Sequence, residues 1–548
     1  MAIYIGFDAS TQSLTAIAIR VDGDERDLVC EHTLVYDEVL PHYGTRHGVL
    51  PSTDLVVAMS SPLMWAEALD LMMGRLAADQ RLDLAEVRAI SGSAQQHGSV
   101  YLSASASPAI ATLDPHLPLA SQLSGTFSRL AAPIWKDSST SRQCAEIAAA
   151  LGGARAVARL TGSQPTERFT GPQVRKFAQA EPAAYARTAV VHLVSSYLAT
   201  LLAGRQAPVD PGDGSGTNLM DLAARAWSPE ALRATAPDLA AKLPPVAESW
   251  TVAGALGRYW QARHGFPAAR VITWSGDNPC SLVGTGLVRE GRVAVSLGTS
   301  DTIFGAMREP RVDIEGAGHC FAAPTGAYMG LTCFSNGSLA RDEVRQRHGL
   351  DWQGFSAALQ RAPAGNGGGI LLPWFGTEIT PRVHEPGPRT YGLTIDDPAA
   401  LVRGVVEGQM LAMARHSAWM GVRVETVHAT GGAAVNRDLL QVLADVFDAE
   451  VVRFEVVNSA CLGAALRAYH ASERADGCDV PWDEVIAGFV EPLAGDVVMP
   501  TPASVVRYAA LGHVHAACEA HALHGGPDPT PQIEAWRRAF PGPEPRNY

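Results

Sequence analysis

Two segments far apart in the chain repeat one pattern of apolar and polar positions. Residues 3–13 and residues 293–303 each run from an alternating apolar strand into a short turn rich in hydroxyl side chains. A second apolar stretch follows each turn, and this pattern is typical of a β-hairpin. Backbone N–H groups and hydroxyls in such a turn can hold an anion such as a phosphate. Two such turns suggest two related halves that hold one phosphate chain between them.

The rest of the chain alternates between strand-like and helix-like segments, which is typical of an α/β protein. Asp397 and Asn436 each precede a helical pattern of apolar residues, and Pro398 suits the first position of the helix after Asp397. Strands are predicted at residues 3–7, 15–21, 28–35, 189–194, 270–274, 293–297 and 426–429.

The length of the chain predicts more than one domain. At 548 residues it exceeds the size at which a single hydrophobic core keeps growing. Because the second hairpin begins near residue 290, we expect an N-terminal domain at residues 1–288 and a C-terminal domain at residues 289–515. The segment 516–548 contains several prolines and shows little periodicity, so we expect it to be poorly ordered.

Charge and composition exclude several classes of function. A net charge of −13 argues against non-specific binding to nucleic acid. No apolar run reaches the roughly 18 residues that a membrane-spanning helix requires, and the N-terminus lacks the basic start of a secretory signal. The eight cysteines are scattered without a C-x-x-C pair. These features predict a cytoplasmic protein with reduced thiols.

Two carboxylates are candidates for phosphate chemistry. Asp8 lies in the first turn, and a carboxylate there could bind the Mg²⁺ that accompanies nucleotide phosphates. Asp277 follows the apolar residues 271–274, at the end of a strand where α/β folds place their ligands. It could accept a proton from a hydroxyl that attacks a phosphoryl group, or it could simply cap the following helix.

Other polar and glycine-rich segments admit both a functional and a structural interpretation. Residues 95–97, Gln-Gln-His, could bind a polyhydroxylated ligand or could satisfy the backbone of their own loop. Arg168 precedes a helix, where an arginine is usually a solvated surface residue. Gly431 and Gly432 permit close approach to a flat ring or a phosphate, or form a tight turn between strand and helix.

Taken together and in order, these motifs resemble the FGGY family of carbohydrate kinases over residues 3–515. Within that family the chain looks closest to the longer, animal-like branch that acts on D-xylulose. The matching segments are residues 8–12, 91–101, 135–140, 166–171, 213–219, 276–279, 295–302, 429–433 and 441–449.

The resemblance implies an α/β protein with the actin-like ATPase fold, in which two ribonuclease-H-like domains flank a catalytic cleft. It implies ATP-dependent phosphorylation of D-xylulose at O5, with ATP and Mg²⁺ as cofactors. Another ketopentose or polyol, such as ribulose, fuculose or glycerol, is the alternative substrate, and a non-enzymatic actin-like nucleotide switch is the alternative function. The expected partners are small molecules, in a monomer or homodimer, without nucleic acid or membrane.

The resemblance also assigns individual residues. It assigns four residues to the sugar, with Asp277 as the general base: His97, Arg168, Asp277 and Asn278. It assigns Asp8 and Thr11 to the first phosphate motif, where Asp8 would hold Mg²⁺ through water. The remaining nucleotide-site residues that it implies are Gly298, Thr299, Ser300, Trp352, Gly431, Gly432 and Asn436.

Overall fold

The computed structural model describes residues 2–454, 458–493 and 495–541, and two large mixed sheets organise it. The first sheet has seven strands, in the spatial order Val252–Ala255, Arg270–Ile272, Val87–Ala94, Ala2–Ala9, Ser13–Asp22 and Glu25–Val35, with Ser275–Gly276 also paired to Val87–Ala94. The second sheet also has seven, in the order Gly318–Ala322, Tyr328–Phe334, Asp301–Met307, Arg292–Leu297, Thr426–Thr430, Glu450–Arg453 and Val497–Val498. We call residues 2–288 the N-terminal half and residues 289–541 the C-terminal half.

The two sheets repeat one topology. In each, the first strand of a hairpin lies at the centre, as the alternating pattern predicts for both hairpins. The hairpin continues on one side into a third antiparallel strand, and two strands on the other side run parallel to the first. Because the carboxyl ends of parallel strands meet at one edge, each sheet has one edge suited to bind a ligand.

Helices and short two-stranded sheets surround these large sheets. The α-helices of the N-terminal half are Tyr36–Val39, Pro62–Ala78, Ala106–Ala111, Leu119–Leu123, Ser141–Ala150, Ala154–Thr161, Thr170–Ala180, Pro182–Arg187, Val194–Ala203, Pro211–Gly214, Pro229–Thr235, Leu239–Lys242, Arg258–His264 and Asp277–Gly284. Those of the C-terminal half are Ser338–Arg347, Trp352–Arg361, Pro398–Ser417, Arg437–Phe447, Ser459–Ala475, Trp482–Ile486, Pro502–His524 and Thr530–Ala539. The small sheets pair Met59–Ser60 with Ala132–Pro133, Ser99–Ser103 with Thr188–Leu193, Met220–Asp221 with Ala226–Trp227, and Ile370–Leu372 with Arg389–Tyr391.

Both predicted helix caps form. The side chain of Asp397 accepts a hydrogen bond from the backbone N–H of Ala399, and Pro398 occupies the first turn of the helix. The side chain of Asn436 accepts from two backbone N–H groups in the first turn of Arg437–Phe447. Each cap satisfies donors that have no partner inside the helix.

One helix of the C-terminal half packs on the first sheet, and we call this helix, Ser459–Ala475, the crossing helix. It contacts strand Ala2–Ala9 and helix Asp277–Gly284. The contact is close because it is made by glycines: a Cβ on Gly463 would lie 1.9 Å from the carbonyl oxygen of Cys280. A division of the chain at residue 288 therefore separates this helix from the sheet on which it packs.

Most of the described part of residues 516–548 is helical, which corrects the expectation of poor order for that part. Helix Thr530–Ala539 buries Ile533 and Trp536 in the core of the C-terminal half. The Trp536 ring packs against Gly365, where a Cβ would lie 2.5 Å from it. Among the described prolines of this segment, Pro527, Pro529 and Pro531 lie at and before the start of this helix, and Pro541 follows its end. Within the described residues, no helix is both long enough and apolar enough to cross a bilayer.

Candidate active site

Asp8 and Asp277 lie at the same edge of the first sheet. Asp8 pairs in register with Ser93, and Ser275 pairs with Ser93 from the opposite side. Asp277 begins a helix two residues after Ser275. Since adjacent strands are separated by about 4.8 Å, a single strand between them keeps the two carboxylates in one neighbourhood.

Both carboxylates have a raised pKa, and the charge of Asp8 contributes to the shift of Asp277. Asp8 accepts hydrogen bonds from the hydroxyls of Ser10 at 2.5 Å and Ser93 at 2.7 Å, yet its burial still raises its pKa. Burial and the negative charge of Asp8 raise the pKa of Asp277 to about 7. A carboxylate that titrates near neutral pH can act as a general base in a phosphoryl transfer.

His97 is held as a neutral ring beside this edge. Its Nδ1 lies 2.6 Å from the carbonyl oxygen of Gly216, and because a carbonyl only accepts, Nδ1 carries the proton. Burial, with the nearby charge of Arg168, lowers the pKa of His97 well below its ordinary value. The ring stacks on Phe169 at 4.2 Å. Its Nε2 is therefore left as an acceptor for a ligand hydroxyl.

Amide side chains connect the sugar-assigned residues to one another. The Asn278 amide donates to Gln96 Oε1 at 2.9 Å, and the Gln96 amide donates to the carbonyl oxygen of Gly212 at 3.3 Å. These bonds hold Asn278 next to the loop that carries His97. The predicted sugar residues His97, Asp277 and Asn278 therefore converge, and Arg168 precedes the Phe169 ring on which His97 stacks.

The first turn is connected to an exposed tryptophan. The indole N–H of Trp135 donates to the Thr11 hydroxyl at 2.7 Å, and that hydroxyl lies 3.4 Å from Gln95 Oε1. Trp135 is 41% exposed, so it is a rim residue and not a core residue. The hydrogen bonds of Thr11 therefore connect the first turn to Trp135 and to the loop that carries Gln95 and His97.

A cavity of about 740 Å³ opens beside the second turn. Five of the seven residues assigned to the nucleotide in the C-terminal half line it: Gly298, Thr299, Trp352, Gly432 and Asn436. Ser300 and Gly431 adjoin lining residues in the chain but do not line the cavity themselves. Gly431 has a φ of +87°, and a Cβ there would lie 2.7 Å from the Leu297 carbonyl oxygen, so only glycine suits this position.

A second, smaller cavity joins the two halves. It measures about 240 Å³ and is lined on one side by Asn278 and Thr285 and on the other by Ser296 and Thr430. Asn278 belongs to the sugar-assigned set, whereas Ser296 and Thr430 precede the second turn and the Gly431 turn. The cavity therefore forms a cleft between the sugar-assigned and nucleotide-assigned regions.

Sequence reasoning missed two residues next to these regions. Arg341 lines the larger cavity and forms a buried ion pair with Asp301, with N–O distances of 2.8 and 3.0 Å. His319 extends from the second sheet to Arg168. The position of Asp301, directly after the second turn, weakly indicates that it belongs to this region. Nothing local in the sequence indicates the partners of Arg341 or His319.

Comparison with known proteins agrees with this geometry. Models of the FGGY family of carbohydrate kinases match the chain at residues 130–284, for the N-terminal domain, and 293–472, for the C-terminal domain. The chain belongs to this family. It is 41% identical over 517 residues to a xylulose kinase of Rattus norvegicus, covering 92% of this chain and 94% of that protein. It is 38% identical over 492 residues to xylulose kinase 2 of Arabidopsis thaliana, covering 86% and 87% of the two chains.

The fold prediction is confirmed by solved structures. A xylulose kinase from Rhodospirillum rubrum superposes with a TM-score of 0.77 at 21% identity, covering 95% of this chain and 99% of that one. The chain thus has the two-domain, actin-like α/β fold of FGGY sugar kinases. It is a sugar kinase, and a sugar and ATP are the two substrates that its family membership implies.

Proposed function

We propose that this kinase phosphorylates D-xylulose at O5 with ATP and releases D-xylulose 5-phosphate and ADP. The observation that carries the proposal is Asp277, a carboxylate with a pKa of about 7, directly before Asn278, whose amide donates to Gln96 in the loop that carries His97. The similarity to xylulose kinases over most of the chain supports D-xylulose as the sugar.

In the proposed reaction Asp277 removes the proton from O5 as O5 attacks the γ-phosphorus of ATP. The O5–P bond forms while the bond from the γ-phosphorus to the bridging oxygen breaks, and that oxygen leaves with ADP. Positioning and charge stabilisation contribute most of the catalysis in such transfers. Backbone N–H groups of the turn at Gly298–Ser300 would stabilise the transferring phosphoryl group.

Neutral His97, Arg168 and Asn278 would bind the hydroxyls and the carbonyl of the sugar. His97 would accept a hydrogen bond at Nε2, and Arg168 would donate. Trp352, which is half exposed at the mouth of the larger cavity, would stack on the adenine. Gly431, Gly432 and the Asn436 cap would form the wall of the nucleotide site.

We propose further that Asp8 holds Mg²⁺ through water. The site fits a hard cation because Asp8 is surrounded by the oxygen atoms of Ser10 and Ser93, and because the partners described for this buried carboxylate are hydroxyls. A bound Mg²⁺ would neutralise phosphate charge and stabilise the ionised form of Asp8.

The proposal is tested with a panel of D-xylulose, ribulose, fuculose, gluconate and glycerol, each supplied with Mg-ATP and followed by coupled detection of ADP. We expect the highest kcat/KM for D-xylulose. A higher kcat/KM for another sugar would replace the substrate but keep the kinase, whereas ATP hydrolysis unaffected by every sugar would favour a nucleotide switch. Asp277→Asn serves as the inactive control.

We also propose a cytoplasmic location and a monomeric or homodimeric state. The eight cysteines are all free thiols, which suits a reducing compartment. Cell fractionation tests the first proposal and light scattering coupled to size-exclusion chromatography tests the second; a secreted protein or a larger assembly would contradict them.

A further inference from the structure

The edge strand of the second sheet lies against the N-terminal half, close to Arg168. In this strand, Gly318–Ala322, the backbone N–H of Cys320 donates to the carbonyl oxygen of Gly162 at 2.9 Å. The backbone N–H of Ala322 donates to the hydroxyl of Ser215 at 3.1 Å. The strand is therefore fixed to both halves, and His319 directly precedes Cys320, the first of these two anchored residues.

His319 makes one hydrogen bond with each ring nitrogen, both to the N-terminal half. Its Nε2 lies 3.4 Å from Arg168 Nη2, and its Nδ1 lies 3.0 Å from the hydroxyl of Ser163. A guanidinium only donates, so Nε2 must accept and Nδ1 must carry the proton. Burial and the charge of Arg168 lower the pKa of His319 to about 3, which keeps the ring neutral at physiological pH.

Aromatic neighbours from both halves fix the orientation of this ring. His319 stacks on Phe321 with centroids 5.7 Å apart and an interplanar angle of 11°. Phe169, on which His97 stacks, lies 5.6 Å from the His319 ring. A ring held by two phenylalanines and two hydrogen bonds presents its acceptor in one direction.

Arg168 depends on that acceptor. A guanidinium has five N–H donors, and among the described residues the structure gives Arg168 one hydrogen-bond partner, His319. The side chain is half-buried. The bond to His319 therefore limits its rotation and leaves its other donors for a ligand.

We propose that His319, supplied by the C-terminal half, is a positioning residue for sugar binding: it holds the Arg168 guanidinium in place beside the loop that carries His97. This inference rests on the proposed function, because it assumes that Arg168 contacts the sugar. Its consequence is that the sugar site is complete only when the edge strand Gly318–Ala322 is docked.

The test compares three variants in steady-state kinetics. His319→Leu removes both polar contacts, His319→Asn keeps a donor toward Ser163 but lacks the acceptor for Arg168, and His319→Gln keeps an acceptor at the position of Nε2. A hydrogen bond to a charged group commonly accounts for about tenfold or more in affinity. We expect the Leu and Asn variants to raise the KM for the sugar by about tenfold. The KM of the Gln variant should stay much closer to the wild-type value, and in all three variants the KM for ATP should change less than about twofold.

His428 offers a matched control. It also lies on a strand of the second sheet and bonds to the N-terminal half, through Nδ1 to the carbonyl oxygen of Thr285 at 2.7 Å. It stacks on Phe454 at 4.2 Å, and burial lowers its pKa to about 4. His428→Leu should lower the thermal unfolding midpoint as His319→Leu does, while the KM for the sugar stays at the wild-type value.

The kinetics are measured with the sugar of the panel that the wild-type enzyme phosphorylates best. If that sugar is not D-xylulose, the proposed substrate is wrong, but the comparison of the His319 variants still tests the role of His319. An unchanged KM for that sugar in the Leu and Asn variants would overturn the inference. Equal increases in the Gln and Asn variants, or an equal increase in His428→Leu, would also overturn it, because the effect would then be structural. If the Leu variant does not fold, the comparison of Asn with Gln decides.

Discussion

Asp277→Asn is the substitution that examines the chemistry most closely. The amide keeps the shape and the hydrogen bond to the backbone N–H of Asn278, which lies 2.8 Å from Oδ1, but it cannot accept the proton of O5. Loss of a general base typically lowers kcat by about 10² to 10⁴. We expect a fall within this range, with the KM for ATP within about twofold of the wild-type value.

The pH dependence gives the same prediction a second readout. Because the pKa of Asp277 is raised to about 7, the wild-type kcat/KM should fall about tenfold per pH unit below that value, as the base becomes protonated. The negative charge of Asp8 contributes to this raised pKa. Asp8→Asn should therefore move the midpoint of the residual activity to lower pH.

Stability should change in the opposite sense to activity. A folded-state pKa of about 7 against an ordinary 3.8 means that the native protein binds its proton more tightly, so its stability falls as pH rises from 4 to 7. At 1.36 kcal/mol per pH unit the full effect is at most about 4 kcal/mol. The Asp277→Asn variant has no carboxylate to ionise and does not lose this stability as the pH rises. It should therefore unfold at a higher temperature than the wild type at pH 8, and the difference should be smaller at pH 5.

Rapid-mixing measurement of ADP release and differential scanning calorimetry provide the two readouts. A variant that retains more than about a tenth of the wild-type kcat would show that Asp277 is not the base. A variant that is less stable than wild type at pH 8 would show that the carboxylate is not destabilised by its surroundings.

Three further predictions concern the nucleotide site, the crossing helix and the metal. Trp352→Ala should raise the KM for ATP by about tenfold and leave the KM for the sugar unchanged, since an aromatic stack contributes about 0.5–1.5 kcal/mol beyond its buried area; equal changes in both constants would contradict its role. Gly463→Ala should lower the free energy of unfolding by about 1–3 kcal/mol, because the added Cβ would collide with the Cys280 carbonyl oxygen. Gly512→Ala is the control: no atom lies within 4 Å of its added Cβ, and it should raise the free energy of unfolding by about 0.5–1 kcal/mol. Urea titrations measure both values. Removal of divalent cations with EDTA should abolish transfer reversibly; if Asp8 holds the metal, Asp8→Asn should raise the Mg²⁺ concentration needed for half-maximal rate, and an unchanged requirement would exclude that role.

Local patterns predict much of this structure. Alternation identifies both hairpins, and the Asp397 and Asn436 caps identify two helix starts, because each depends on residues within a few positions of one another. His97, Asp277 and Asn278 are distant in the chain, and they converge because the strands that they follow pair side by side, with their carboxyl ends at one edge. The resemblance to the family supplied the assignments that these patterns left open.

The features that were missed depend on contacts between distant parts of the chain. The crossing helix returns to the first sheet through glycine contacts that no local pattern reveals. Helix Thr530–Ala539 is held in place because the Trp536 ring packs on Gly365 and Gly368. Arg537 also donates a hydrogen bond to the carbonyl oxygen of Gly367, which lies 170 positions earlier in the chain. His319 pairs with Arg168 across a separation of 151 residues.

The most direct test of the account is a crystal structure of the enzyme with Mg²⁺, a non-hydrolysable ATP analogue and D-xylulose. We predict that the γ-phosphate lies between Asp8 and Asp277, with O5 of the sugar within about 3.2 Å of an Asp277 carboxylate oxygen. A sugar bound with O5 turned away from Asp277, or a triphosphate that does not extend from the Gly298 turn toward Asp8, would contradict it.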